Sequence, residues 1–285
     1  MNREREVVDQ ITSYEELYAM TRAIYAIAFH GFTRVQGRIK RRHRSLLIGK
    51  MFFSVILSRR RTRRYFLFLV ATDKTCSGPL NLRMQRVGTK YLSKLAALGK
   101  HVRLCTVGER LRKVMHTEQR QALARSIRAH DVRVPSLTLS FLCIDTFFKA
   151  IQRADKVVFI FMRYHEKTKQ AVAAYIVPTF RVVQALFFKT LKRVELDYEF
   201  VVYFSDRVRE PLFLFNLYFF FFSLVCLDVL EEHQYSDFAM RSNTMDAASL
   251  FTSTAIEELR LRYNHMRQER VTKVLLEIVA TFVCM

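Results

Sequence analysis

A chain of 285 residues, half of them hydrophobic and 13% aromatic, carries ample material for one or two packed domains, which excludes general disorder. Its formal charge of +21 implies acidic partners, whether nucleic acid, an anionic membrane face or acidic protein surfaces, without choosing among them. The five cysteines (Cys76, Cys105, Cys143, Cys226, Cys284) are scattered with no CxxC, and the histidines form no HExxH. They read as reduced thiols, and metal binding has no support.

The opening MNREREVVDQ has early acidic residues and no apolar core, so it does not read as a secretory signal. From Ile11 a regular pattern begins. Ile11, Tyr14, Tyr18, Thr21, Tyr25, Ala28, Phe32, Val35 and Ile39 step alternately by three and four, which predicts a coiled-coil helix with Thr21 as its one polar seam residue. Leu17, Met20, Ile24 and Ile27 widen the apolar stripe. Two basic runs follow, KRRHR at 40–44 and RRRTRR at 59–64, around an apolar piece too short to span a bilayer. The runs fit a solvated basic face, or a phosphate-contacting one.

The middle of the chain alternates between strand and helix signals. Tyr65–Ala71 (YFLFLVA) is a continuous apolar run, the mark of a strand buried on both faces. A helix is predicted over Leu80–Leu98, a strand over Val102–Val107, helical pieces over Gly108–His130 and Leu139–Arg153, and strands over Val157–Met162 and Ala171–Val177. This order predicts an α/β domain with a mostly parallel sheet. The loop after the first strand, DKTCSGPLN, has one glycine and no GxGxxG or GxxxxGK[ST]. It therefore lacks the run of approachable backbone N–H groups that a phosphate needs. No catalytic triad or carboxylate pair is recognisable. Phe180–Lys192 reads as a basic amphipathic stretch.

From Leu212 to the end there is neither proline nor glycine. A helix over that whole length would extend roughly 110 Å at 1.5 Å per residue, so it needs a partner along its length. The N-terminal helix is the natural one, in antiparallel pairing. The segment 212–230 (LFLFNLYFFFFSLVCLDVL) passes as a membrane span by hydropathy, or as a helix buried against the α/β domain. Beyond Ser236 the apolar face is expected at Ala248, Phe251, Ala255, Leu259, Tyr263, Met266, Val274 and Ile278. The spacing also allows Glu257 to pair with Arg260 and Glu258 with Arg262.

These residues resemble the gamma subunit of F-type ATP synthases. Tyr263–Val279 (YNHMRQERVTKVLLEIV) is similar to that family's YNxxRQxxITxELxEIV, and Ser236–Ser249 (SDFAMRSNTMDAAS) to its SExxARMxAMxxAT. Thr21–Ala28 (TRAIYAIA) resembles TKAMKMVA, Arg34–Gln36 sits at the family's RAQ, and DKTCSGPLN resembles DRGLCGALN. Between Gly108 and Asp155 the likeness is thin. Val274 stands where the family usually has glutamate, and Thr281-Phe282 replaces a usual Gly-Ala.

The resemblance implies three segments: an N-terminal coiled-coil helix (1–58), a Rossmann-like α/β domain (59–210) and a long C-terminal helix (211–285) pairing with the first. It implies a divergent mitochondrial member, peripheral to the matrix side of the inner membrane, without cofactor or catalytic residue of its own. It would work as a rotor among alpha and beta subunits, delta and epsilon central-stalk subunits and a c-ring. Arg267, Gln268 and Thr272 match positions facing the beta subunits, and Thr21, Arg22, Arg241 and Glu277 are further candidates for that interface. Readings from other classes are a nucleic-acid-binding organellar protein using the two basic runs, and a membrane-anchored protein spanning at 212–230.

Overall fold

The computed structural model describes residues 2–57, 63–72, 76–118, 123–127, 140, 144–145, 151–165, 171–191 and 211–283. These form two compact units: Met1–His30 with Arg241–Met285, and Gly31–Met240. The elements in order are α1 (Asn2–Leu57), β1 (Arg64–Val70), α2 (Leu80–Ala97), β2 (His101–Val107), α3 (Glu109–Glu118), β3 (Leu123–Ile127), β4 (Lys156–Arg163), β5 (Ala171–Pro178), α4 (Phe180–Leu191) and α5 (Pro211–Val283). The boundaries of the units fall inside α1 and α5 rather than at their ends.

The larger unit holds a five-stranded sheet of order β3-β2-β1-β4-β5, parallel except for β5, which runs antiparallel to β4. Because side chains alternate across a strand, β1 feeds two cores at once. Leu67 and Leu69 point to one face with Leu104, Val158 and Ile160, beneath Leu80, Met84 and Leu92 of α2 and Leu111 and Met115 of α3. Phe66 and Phe68 point to the other with Cys105, Phe159 and Phe161, beneath Val183 of α4 and Tyr218, Phe222 and Val225 of α5. This double burial is why the strand reads as an unbroken apolar run. Gly88 lets α2 lie close on β1, since a Cβ there would stand 2.7 Å from Leu69 Cδ1.

The start of β1 is pinned by a carboxylate. Asp155 Oδ2 accepts hydrogen bonds from the backbone N–H of Arg63 (3.1 Å) and Arg64 (3.0 Å). Burial pushes this carboxyl pKa up, but the two N–H donors and the Arg64 and Arg181 charges outweigh it and hold the group below its usual range.

One expectation changes, and one open choice closes. The helix predicted over 108–130 ends at Glu118, and Leu123–Ile127 is instead a fifth strand paired in parallel with β2. Its five residues are too few to carry a period of their own, and pairing with β2 decides their conformation. The apolar segment 212–230 lies on the sheet: Phe222 sits 5.7 Å from Phe159, and the Tyr218 hydroxyl donates to Pro178 O at 3.0 Å. Although α5 is apolar enough to cross a membrane by composition, half of its apolar window is buried within the protein. Of the basic runs, the side chains of 41–44 and all of 59–62 lie outside the described residues, as do loop residues 73–75 and most of the expected helix over 139–153.

Candidate functional surface

In the smaller unit α1 and α5 form an antiparallel pair. Arg260 Nη2 lies 2.6 Å from Glu15 Oε1, and Arg270 Nη1 lies 2.5 Å from Glu4 Oε2. On α1 the buried Thr21 and Ala28 and the half-buried Ile11, Tyr14 and Tyr25 follow the seam that the sequence predicts, Val7 extends it by one step, and Tyr18 is exposed. On α5 the seam runs through Met245, Ser249, Thr252, Ile256, Leu259, Tyr263 and Met266, again in steps of four and three.

That second seam corrects the expected face. Leu259, Tyr263 and Met266 belong to it, whereas Phe251 is 71% exposed and Val274 and Ile278 are nearly half exposed. Ser249 and Thr252 take seam positions because their hydroxyls bond back to their own helix, to Asp246 O at 2.8 Å and Ala248 O at 3.0 Å. No polar group is then stranded at the contact. Thr21 does the same, donating to Tyr18 O at 2.9 Å.

The coil leaves much apolar surface open. On α1, Leu17, Met20 and Ile27 are exposed rather than widening the covered stripe. On α5 every described side chain from Arg267 to Thr281 is exposed. Val271, Val274, Leu275 and Ile278 make an apolar face at helical spacing, with Leu276, Val279 and Val283 on other sides. An end so apolar, with every described side chain exposed, calls for a protein partner.

The residues singled out from the sequence divide into two sets. Arg267, Gln268, Thr272 and Glu277 are exposed on the last turns of α5, and Arg22 is exposed on α1 with its guanidinium 5.5 Å from the Tyr25 ring centre. Thr21 and Arg241 are buried, 6% and 7% exposed. Arg260, which the spacing allows to pair with Glu257, bonds to Glu15. No group of three metal-ligating side chains occurs among the described residues.

Sequence reasoning missed a polar belt on α5 within the larger unit. Arg163 holds Glu232 with both Nε (3.2 Å) and Nη2 (3.0 Å), and its Nη2 also reaches the Tyr175 hydroxyl at 2.6 Å. Arg38 approaches Glu231 at 3.8 Å and Gln234 at 3.2 Å. The Met162 N–H donates to His233 Nδ1 at 3.3 Å, and Ser77 Oγ donates to Asp237 Oδ1 at 2.5 Å. With Nδ1 accepting, the imidazole is neutral. Burial pushes its pKa down to about 4, against a smaller upward pull from Asp237. The signal for this belt was the polar string EEHQYSD directly after the apolar run 212–230.

A coil made from the two chain ends, an α/β unit with a mixed sheet and a bare apolar helix end define a subunit of a larger assembly. The model of the family described as ATP synthase matches residues 3–284. The ATP synthase gamma chain of Nitrosospira multiformis is 23% identical over 96% of this chain and 97% of its own length. The mitochondrial gamma subunit of Arabidopsis thaliana is 21% identical over 96% of this chain and 83% of its own. Among solved structures, a chain of the Euglena gracilis mitochondrial ATP synthase (OSCP/F1/c-ring) covers 100% of this chain and 95% of that one. It has a TM-score of 0.78 and 16% identity, a likeness of fold. A chain of the Tetrahymena thermophila central stalk and c-ring covers 81% of this chain at a TM-score of 0.61 and 16% identity. The chain belongs to the ATP synthase gamma-chain family.

Proposed function

We propose that this chain is the central-stalk rotor of a proton-driven ATP synthase, coupling rotation of a c-ring to conformational cycling of alpha and beta subunits. The observation that carries the reading is the exposed end of α5: every described side chain from Val271 to Val283 is exposed, apolar ones included, as a shaft end held in a protein sleeve requires. A shaft drives its surroundings by contacting different conformations of a neighbour unequally. Side chains that differ from face to face, charged at Glu15 and Arg260 and apolar at Met20, Ile27 and Phe251, supply such inequality.

On this reading the chain itself is non-catalytic, and ATP chemistry belongs to the alpha and beta subunits. Delta and epsilon subunits and the c-ring are its other partners. The mitochondrial relatives support a place on the matrix side of the inner membrane, peripheral to it, in keeping with the seating of 212–230 on the sheet. The working segments are 1–58, 59–210 and 211–285. Arg22, Arg267, Gln268, Thr272 and Glu277 meet the surrounding subunits, while Thr21 and Arg241, the other two candidates, are buried and belong to the packing of the helices.

Isolation of the chain in mild detergent, with its companions identified by mass, tests the proposal. Alpha, beta and c subunits in one ATP-hydrolysing particle support it. RNA and ribosomal proteins that dissociate with salt would replace it with the nucleic-acid reading. Retention in the membrane pellet after carbonate extraction would favour a spanning helix.

A further inference from the structure

The polar belt on α5 grips the helix from nearly every side. Successive residues of an α-helix project about 100° apart, so Glu231, Glu232, His233 and Gln234 point in four directions around the axis, and Asp237 returns near the side of His233. Between them these directions meet three side chains and one backbone N–H. Glu231 and Gln234 meet Arg38 of α1, Glu232 meets the Arg163 side chain of β4, and His233 meets the Met162 backbone of β4. Asp237 meets Ser77 in the segment between β1 and α2. Glu231, Glu232, His233 and Asp237 are all buried.

Two kinds of force thus hold α5 to the α/β unit, and they resist different motions. The Tyr218, Phe222, Val225 and Val229 face is apolar, and its attraction depends on area rather than direction. Hydrogen bonds weaken steeply as their angle closes, so a roll of α5 about its own axis breaks those made by Glu232, His233, Gln234 and Asp237 together, while the longer Arg38–Glu231 ion pair is less directional. Buried charges add little net stability once desolvation is counted, but they can fix one arrangement among many. Five charged or strongly polar groups around one helix, where leucines would pack as well, therefore point to orientation as their use.

We infer that Glu231, Glu232, His233, Gln234 and Asp237, with Arg38, Arg163 and Ser77, form a torsional lock. It prevents α5 from rolling within the α/β unit, so that twist entering this unit passes into the helix. They are positioning residues for coupling, not residues that touch nucleotide. The inference rests on the rotor reading, since only a part that transmits torque needs resistance to roll beyond resistance to separation. Being one continuous helix, α5 carries any twist fixed at 231–237 along its own backbone.

The test uses the intact ATP synthase particle carrying Glu232→Gln with Asp237→Asn, changes that keep size and some hydrogen bonding while removing both charges. Three quantities are read: subunit composition, ATP hydrolysis, and protons pumped per ATP hydrolysed. The lock predicts unchanged composition and hydrolysis with loss of pumping per ATP. Unchanged pumping per ATP in assembled particles overturns it. A wild-type chain that does not isolate with alpha, beta and c subunits defeats the rotor reading itself, a separate outcome. If the variant does not assemble, Ser77→Cys with Asp237→Cys, in a Cys76→Ser background, replaces the 2.5 Å bond with a reversible covalent link. The oxidised particle should then pump as wild type and the reduced one should slip, and equal pumping in both states overturns the lock.

Discussion

Arg260 donates a 2.6 Å hydrogen bond to Glu15, joining residues 245 positions apart in the chain. Moving back along α1 from Glu15 to Glu4 moves the partner forward along α5 from Arg260 to Arg270, so the two ends of the chain run antiparallel. Both pairs reach solvent, and their part is register more than strength. Glu15→Gln should cost no more than about 1 kcal/mol, less at high salt. Thermal unfolding of the assembled particle at two salt concentrations checks this, and a large salt-independent loss would contradict it.

Gly31 faces Phe238 so closely that a Cβ would stand 2.6 Å from the ring. Gly31→Ala should therefore destabilise by about 1–3 kcal/mol through overpacking, although alanine is the better helix former. Adding Phe238→Leu should recover most of the loss. A denaturant midpoint for each variant decides, and a gain in stability from Gly31→Ala alone would show that the helices do not pack this closely.

His233 makes stability depend on pH. Its pKa falls from the ordinary 6.5 to about 4 in the folded chain, mainly through burial. Between those values the unfolded chain binds the proton and the folded one resists it. Stability is then full above about 6.5, declines as pH falls towards 4, and levels off below. Asp155, with its lowered pKa, adds a further loss at the acid end as pH falls through its folded value. His233→Gln should flatten the decline between pH 6.5 and 4, as followed by unfolding midpoints. An unchanged slope would mean that another group carries it.

How much of this was legible depended on where each residue finds its partner. The long helix α5 declared itself by lacking breakers, α1 by its three-four stepping, and β1 by a run whose two faces are both buried. Ser249 and Thr252 hid the second seam because their hydroxyls are satisfied within their own helix, which the residue type alone does not reveal. Glu231 and Glu232 follow directly on the apolar run 212–230, and nothing in the sequence marks them as buried. Their burial depends on Arg38 and Arg163, distant in sequence, and only the sheet order brings β4 beside α5. Leu123–Ile127 owes its strand conformation to β2 in the same way.

At the exposed end of α5, Arg267, Gln268 and Thr272 can be changed without touching any packed side chain. Arg267→Ala with Gln268→Ala should leave the unfolding midpoint within about 0.5 kcal/mol of wild type. On the proposed reading these side chains meet the surrounding subunits, so the same particle should lose ATP turnover. Turnover and unfolding measured on one preparation separate the effects, and normal turnover would remove these residues from the interface.

Phe222 fixes the apolar part of α5 against Phe159 at 5.7 Å and is almost fully buried. Phe222→Ala should cost about 3–5 kcal/mol as a core truncation. A residue facing lipid would cost far less, so proteolytic susceptibility of the variant in its particle distinguishes a core helix from a span.

The most direct test of the central claim fixes the alpha–beta particle to a surface and attaches a bead to this chain through a cysteine placed on its exposed surface. With ATP supplied, the account predicts that the bead turns continuously in one direction. A bead that stays still on particles that hydrolyse ATP, while the chain remains bound, would contradict it.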